Sequence, residues 1–414
     1  MAAYFPIILL STLLAIEAQP TCTINNNTDV MCIPKDNHYV LEKGLVSHRN
    51  QTTRITLRRC RITDIDFESF DGLPSLTYID LSVNNINTLR LGVLDEAEQV
   101  THLNLSYNML TEFPLGLFDK NVNLDVLDLQ GNLINYLELG ILDPLTKLRH
   151  LDLSNNALKG KNMSAYLFDQ CTNIKYIDFS NNDMNGSPDN LLHAFQTLKS
   201  LNLNRCGLSE VPQFAIMSNL KTIKHLVLSS NGISRIDNPN TFVNLDNLEI
   251  LNLAFNFMES IHENVFKSIR NLKTVMLMNN GLKQLPETLF QNMKKLVNIN
   301  LSHNLIEYVP VNAFRGSGAK YLNLSDNRFS FLTYNFLLEL RNSGTRIVKF
   351  NFNQNPWQCS CLIQILNEVK SMEVEYNYVK FNGKDKVCVA KDEFACKRQP
   401  NDNLYFNEVY YNHH

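Results

Sequence analysis

Apolar residues recur along most of this chain in one fixed arrangement, L-x-x-L-x-L-x-x-N-x-L. It reads LTYIDLSVNNI from Leu76, VTHLNLSYNML from Val100, LDVLDLQGNLI from Leu124, LRHLDLSNNAL from Leu148, LEILNLAFNFM from Leu248 and LVNINLSHNLI from Leu296. The ninth position falls at Cys60, Asn84, Asn108, Asn132, Asn156, Asn182, Cys206, Asn231, Asn256, Asn280, Asn304, Asn327 and Asn355, which makes thirteen repeats, mostly 24 or 25 residues apart. Self-similarity at such a period marks a solenoid, in which each unit buries its apolar face against its neighbours. The L-x-L core has the period-2 signature of a short strand, so the leucines at positions four and six point inward and positions three, five and seven are expected to point out. The Asn at position nine falls where the chain leaves the strand, and its amide can both donate and accept, satisfying backbone groups that no ladder partner reaches. Cys60 and Cys206 stand in that slot as small buried thiols. Phe70, Phe118, Phe168, Phe242, Phe266 and Phe290 each precede a ninth position by 14 residues and predict a stacked aromatic spine on the side opposite the strands.

The flanks read differently. Residues 7–16 (IILLSTLLAI) are an apolar run too short to span a bilayer, which takes about 20 residues. With Glu17-Ala18-Gln19-Pro20 behind them they predict a signal peptide cut after Ala18. Nine cysteines form two terminal groups, Cys22 and Cys32 before the repeats and Cys359, Cys361, Cys388 and Cys396 after them, with Cys60, Cys171 and Cys206 scattered between. That grouping suits an oxidising compartment, with one disulfide expected between Cys22 and Cys32 and, at Cys171, an unpaired buried thiol or, as the alternative, an intermolecular bridge. Seven N-x-[ST] sequons, at Asn26, Asn50, Asn104, Asn162, Asn185, Asn300 and Asn323, fit a secreted glycoprotein.

These motifs resemble those of extracellular leucine-rich repeat proteins of the 24-residue subclass, such as the Toll, slit and connectin ectodomains and the secreted leucine-rich immune proteins. The resemblance covers nearly all the chain after the signal peptide. Its most specific motif is Asn355-Pro356-Trp357-Gln358-Cys359-Ser360-Cys361 followed by Cys388 and Cys396, similar to that family's C-terminal cysteine cap. The resemblance implies the pairs Cys359–Cys388 and Cys361–Cys396, and an α/β solenoid of horseshoe form with a parallel sheet on its concave face, an irregular or short-helical convex face and disulfide caps at both ends. Leu362, Ile365, Leu366 and Val369 recur as one face of a capping helix. The expected organisation is a signal peptide at 1–18, an N-terminal cap at 19–52, repeats at 53–354, the cysteine cap at 355–400 and a polar tail at 401–414.

Composition removes several functions. With 38 Lys and Arg against 41 Asp and Glu, a net charge of −3 and no basic block along the chain, neither nucleic acid nor a membrane surface is an expected partner. No nucleophile elbow, zincin, Walker or dinucleotide fingerprint occurs, so no catalysis, cofactor or metal is expected. Function in such a scaffold resides in the outward residues of the strands. One candidate group is acidic: Asp128, Asp152 and Asp178 stack on neighbouring strands near Asp80, Asn104, His102, His150, Tyr78, Tyr107 and Tyr176. Such a row either attracts a cationic partner or ion or expresses the strand sequence favoured by the subclass. The other group is apolar: Val227, Ile250, Ala254, Phe255, Met276 and Met278 in repeats eight to ten, a composition that marks interfaces. Asn104, Asn300 and Asn323 fall at position five, so sugar there would stand on the strand face, and sugar at Asn300 and Asn323 would close repeats eleven and twelve and confine binding to the first ten. The reading is a secreted recognition protein that binds a protein or glycoconjugate through its concave face in innate immunity or extracellular signalling, as a monomer or as a homo- or hetero-dimer. The alternatives are a cell-adhesion or matrix protein and an inhibitor of a secreted enzyme.

Overall fold

The computed structural model describes residues 21–25, 29–33, 39–42, 50–381, 387–391, 395–399 and 403–412. The expected signal peptide, Asn26 and the side chains of Cys22 and Cys32 lie outside them. Thirteen three-residue strands, from Arg54–Thr56 to Lys349–Asn351, pair in parallel in sequence order, one per repeat. Upstream, Thr21–Asn25 and Asp29–Ile33 form an antiparallel hairpin whose second strand adds to the sheet at Arg54–Thr56. Its register sets the backbone of Cys22 opposite that of Cys32.

The core follows the repeat. Leu81, Leu105, Leu129, Leu153, Leu203 and Leu253 at position six are fully buried, as is the aromatic spine. Phe242, Phe266, Phe290 and Phe314 stack in sequence with ring centroids 5.6–6.4 Å apart. Phe195 and Phe314 join the spine although they precede their ninth positions by 11 and 13 residues, because the shorter segments that follow change the count without moving the ring. Each ladder Asn bridges repeats: Asn108 donates to Leu81 O and Leu105 O, both at 3.0 Å, and accepts the Ile86 N–H at 3.1 Å. Cys171 is buried, its thiol against Leu142 O, which leaves no route to an intermolecular bridge.

The structure adds one feature of the repeat and corrects the end of the chain. Position eight is left-handed in all thirteen repeats, with φ of 53–68°, including Val83, Tyr107 and Phe255 where asparagine or glycine would be unstrained. Residues 401–414, expected as a polar tail, carry a helix. Three helices close the C-terminal end: α1 (Phe336–Asn342), α2 (Cys359–Ser371) and α3 (Asn403–Tyr411). Leu362, Ile365 and Val369 of α2 cover the last repeat, and disulfides Cys359–Cys388 and Cys361–Cys396 fasten it. In α3, Asn403, Phe406 and Tyr410 are buried at i, i+3 and i+7, so an asparagine-rich segment packs through one aromatic stripe. Tyr411 Oη donates to Asn327 O at 3.1 Å.

Candidate functional site

Each strand comprises positions three to five of its repeat, so only positions three and five stand on the open face. Alternation ends with the strand. Position seven, expected outward, turns in: Ser82, Ser106, Ser154, Ser180 and Ala254 are all buried, because the chain is already bending toward the left-handed residue at eight. Ala254, 1% exposed, therefore leaves the candidate surface. Met278, also at seven, is half-buried, and its Sδ accepts from Asn300 Nδ2 at 2.9 Å.

Position five has a structural task. In nine strands its Asp or Asn accepts the N–H two residues on, as Asp152 does from Ser154 at 2.9 Å and Asn252 from Ala254 at 3.0 Å. This side-chain turn stops the strand where the ladder no longer serves the backbone. It also explains the acidic row. Registers place Asp128, Asp152 and Asp178 abreast, but each commits one oxygen to its own chain, and Asp178 also accepts from Asn202 at 2.6 Å. Burial pushes the Asp128 and Asp152 carboxyls above the ordinary range, against the hydrogen bonds from Gln130 and Ser154. Beside them His150 lies against Tyr176 and His102 against Tyr78, with centroids 5.8 and 6.0 Å apart. Tyr107 is not on the strand face; it occupies a left-handed turn against Gly131.

Val227 and Met276 break the position-five rule. They stand on either side of Asn252 in register, and Ile250 occupies position three of the strand between them. These three apolar side chains share one face around a single polar residue. Phe255, half exposed at φ 56°, projects at the margin of the same repeats. From Ile250 and Met276 a depression of about 390 Å³ runs toward the C-terminal repeats, walled by Thr274, Asn298, Asn300, Tyr321, Asn323, Lys349 and Asn351. Tyr321, Asn298 and Lys349 were missed from the sequence alone, although position three of the last repeats is where to look for them. The depression includes the sequon residues Asn300 and Asn323, whose Oδ1 atoms accept from the N–H and hydroxyl of Ser302 and Ser325. Asn50, Asn162 and Asn185 are exposed away from this face.

Comparison with known proteins agrees with this geometry. A family profile described as "Leucine rich repeat" matches residues 50–110, 99–158, 196–258 and 270–329. No curated protein matches the chain in sequence. Among solved structures, a leucine-rich repeat protein of Leptospira interrogans superposes with a TM-score of 0.62 at 19% identity, over 79% of this chain and 90% of that one. A chain of the Drosophila Toll–Spatzle complex gives 0.61 at 20% identity, over 85% of this chain and 53% of that one. This protein thus spans about half the length of that chain. A chain of the octameric complex of Latrophilin 3, Unc5D and the repeat region of FLRT2 gives 0.51 at 23% identity, over 77% and 84%. Identities this low establish a shared fold.

Proposed function

The chain belongs to the leucine-rich repeat family, and from that premise we propose that it is a secreted, non-enzymatic recognition protein whose strand face binds a protein or glycoconjugate in innate immunity or extracellular signalling. The observation that carries the reading is the pair Val227 and Met276. Every other strand from Tyr78–Asp80 to Lys349–Asn351 has Asp or Asn at position five. Giving up that hydrogen bond costs about 1 kcal/mol at each site, and the apolar side chains gain no core contact in return. Retaining them is explained by a partner that covers them. Phe255 adds to this: every position eight is left-handed, and here the repeat carries a half-exposed aromatic residue, strained where asparagine would not be, beside the apolar pair. Solved structures of the same fold include complexes named for protein partners, Toll with Spatzle and FLRT2 with Latrophilin 3 and Unc5D, which supports the class of ligand.

In this reading Ile250, Met276 and Val227 form the contact centre, Phe255 its margin and the depression toward Lys349 its extension. Occupied glycans at Asn300 and Asn323 would fill that depression and restrict contact to the first ten repeats. A photo-crosslinking residue at position 276, compared with one at exposed Lys283, tests the site: the reading requires a partner adduct at 276 and none at 283. Equal labelling at both would reject it. Induction of expression by microbial challenge rather than by developmental stage separates immunity from adhesion.

A further inference from the structure

The chain has no basic block in sequence, but the solenoid builds one. Segments 146–150, 172–176, 196–200 and 221–225 lead into four consecutive strands and lie side by side. Lys175 N donates to Arg149 O, Lys199 N to Lys175 O and Lys224 N to Lys199 O, all at 2.8 Å. Together they carry Lys147, Arg149, Lys175, Lys199, Lys221 and Lys224, with His150 and His225, and not one carboxylate. Neighbouring strands are about 4.8 Å apart, so these cations form a straight row along one edge of the sheet.

Carboxylates bound the row at its two ends. Arg149 meets Asp125 at 3.5 Å, and Lys224 meets Glu249 at 2.9 Å. Glu249 also holds Lys273 at 2.6 Å, and these two ammonium groups, Lys273 foremost, draw its carboxyl down to about 2. Between the ends, Lys175 and Lys199 have no acidic partner among the described residues. Adjacent like charges with no counter-charge repel, which an external anion relieves. At the Arg149 end the row opens into a groove of about 500 Å³ whose walls include Thr77, Thr101, Asn123 and Asn173, a source of hydroxyl and amide groups, and also Asp125, the carboxylate paired with Arg149.

We propose that this edge, from Lys147 to Lys224, binds a linear sulfated polysaccharide. The site is separate from the apolar strand face and does not depend on its assignment. A one-dimensional row of cations at a regular step suits a chain that carries anions at a regular step, and ammonium groups serve sulfates as point charges. Single-stranded nucleic acid fits less well, because it is held by aromatic platforms along its path, and the row has one large ring, Tyr176, already against His150, besides the imidazole of His225.

The test uses heparin as the probe on the full chain at neutral pH, where the net charge of −3 opposes adventitious retention. Wild type is expected to bind, with log Kd rising linearly in log salt concentration. Replacing Lys175→Ser and Lys199→Ser should weaken binding by about fivefold per cation, roughly 25-fold together. The charge-matched pair Lys283→Ser and Lys370→Ser should stay within about twofold of wild type on the same physical grounds. The proposal is overturned if wild type fails to bind, if both pairs weaken binding equally, if desulfated heparin binds as well, or if a thymidine oligonucleotide of equal charge binds more tightly. Acetylation footprinting probes the same row on wild type without a variant: heparin must protect Lys175 and Lys199 and leave Lys283 reactive, and equal reactivity at all three would overturn the assignment.

Discussion

The thiol of Cys206 donates to the carbonyl of Phe179 at 3.3 Å, in the place where each ladder asparagine sends its amide. A thiol takes over the donor half of the role only. The Met184 N–H, which an Asn at 206 would accept, turns instead to Cys206 O at 2.9 Å. Cys206→Asn is therefore expected to fold with stability within about 1 kcal/mol of wild type, while Cys206→Ala loses the donor and costs about 1–2 kcal/mol. Urea melts of the two variants check the ordering, and an alanine more stable than the asparagine would contradict it.

Burial pushes the thiols of Cys171 and Cys206 up to about 12. A raised thiol pKa favours the folded state fully below the unfolded value near 9, and the advantage is lost as pH rises from there toward 12. Stability should fall by about 1.4 kcal/mol per thiol by pH 10. Cys171→Ala should flatten that part of the profile. Neither thiol should react with a disulfide reagent at pH 8 until the chain is unfolded.

Asp128 and Asp152 give the carboxylate version. Their carboxyls are raised chiefly by burial, so the folded state holds their protons more tightly than the unfolded chain. Their contribution to stability is greatest below the unfolded value near 4 and is lost as pH rises through the folded one. Asp128→Asn with Asp152→Asn keeps both turn acceptors, as Asn104 and Asn202 show in the same sheet. The double variant is expected to be more stable than wild type at pH 7 and equal to it below pH 4. Destabilisation at pH 7 would mean that the charges are needed, in favour of a cationic ligand.

On the apolar face, stability and binding should separate. Val227→Asn and Met276→Asn restore the missing turn acceptor and should each stabilise by about 1 kcal/mol while weakening partner binding by about 2 kcal/mol or more. Phe255→Asn relieves a left-handed aromatic and should behave likewise. Val83→Asn relieves the same strain far from the face and should stabilise without affecting binding. Thermal melts paired with binding isotherms decide the matter: stabilised variants that bind like wild type would remove these residues from the interface.

The C-terminal cap should carry much of the stability of its end. Cys359–Cys388 and Cys361–Cys396 close segments of 29 and 35 residues, so removing either should cost about 3–4 kcal/mol by chain entropy. Hydrogen exchange should show the loss first in α2 and the last strand.

By itself the sequence determined the repeat count, the leucine core, the asparagine ladder and the positions of the terminal cysteines. The first three recur at one period, and stacking turns a period in sequence into a column in space; the cysteines are legible because they group at the two ends of the repeats. It did not determine where outward alternation stops. That depends on the chain entering a left-handed turn after a three-residue strand, which buries Ala254 and half-buries Met278. The packing of α3 was also decided by tertiary contact, because its apolar and aromatic residues stand on more than one side and only the contact with Val389 selects Phe406 and Tyr410 for burial while Leu404 stays exposed. The basic edge was beyond a reading of local charge, since its lysines are a full repeat apart along the chain and only strand pairing brings them within about 5 Å of one another.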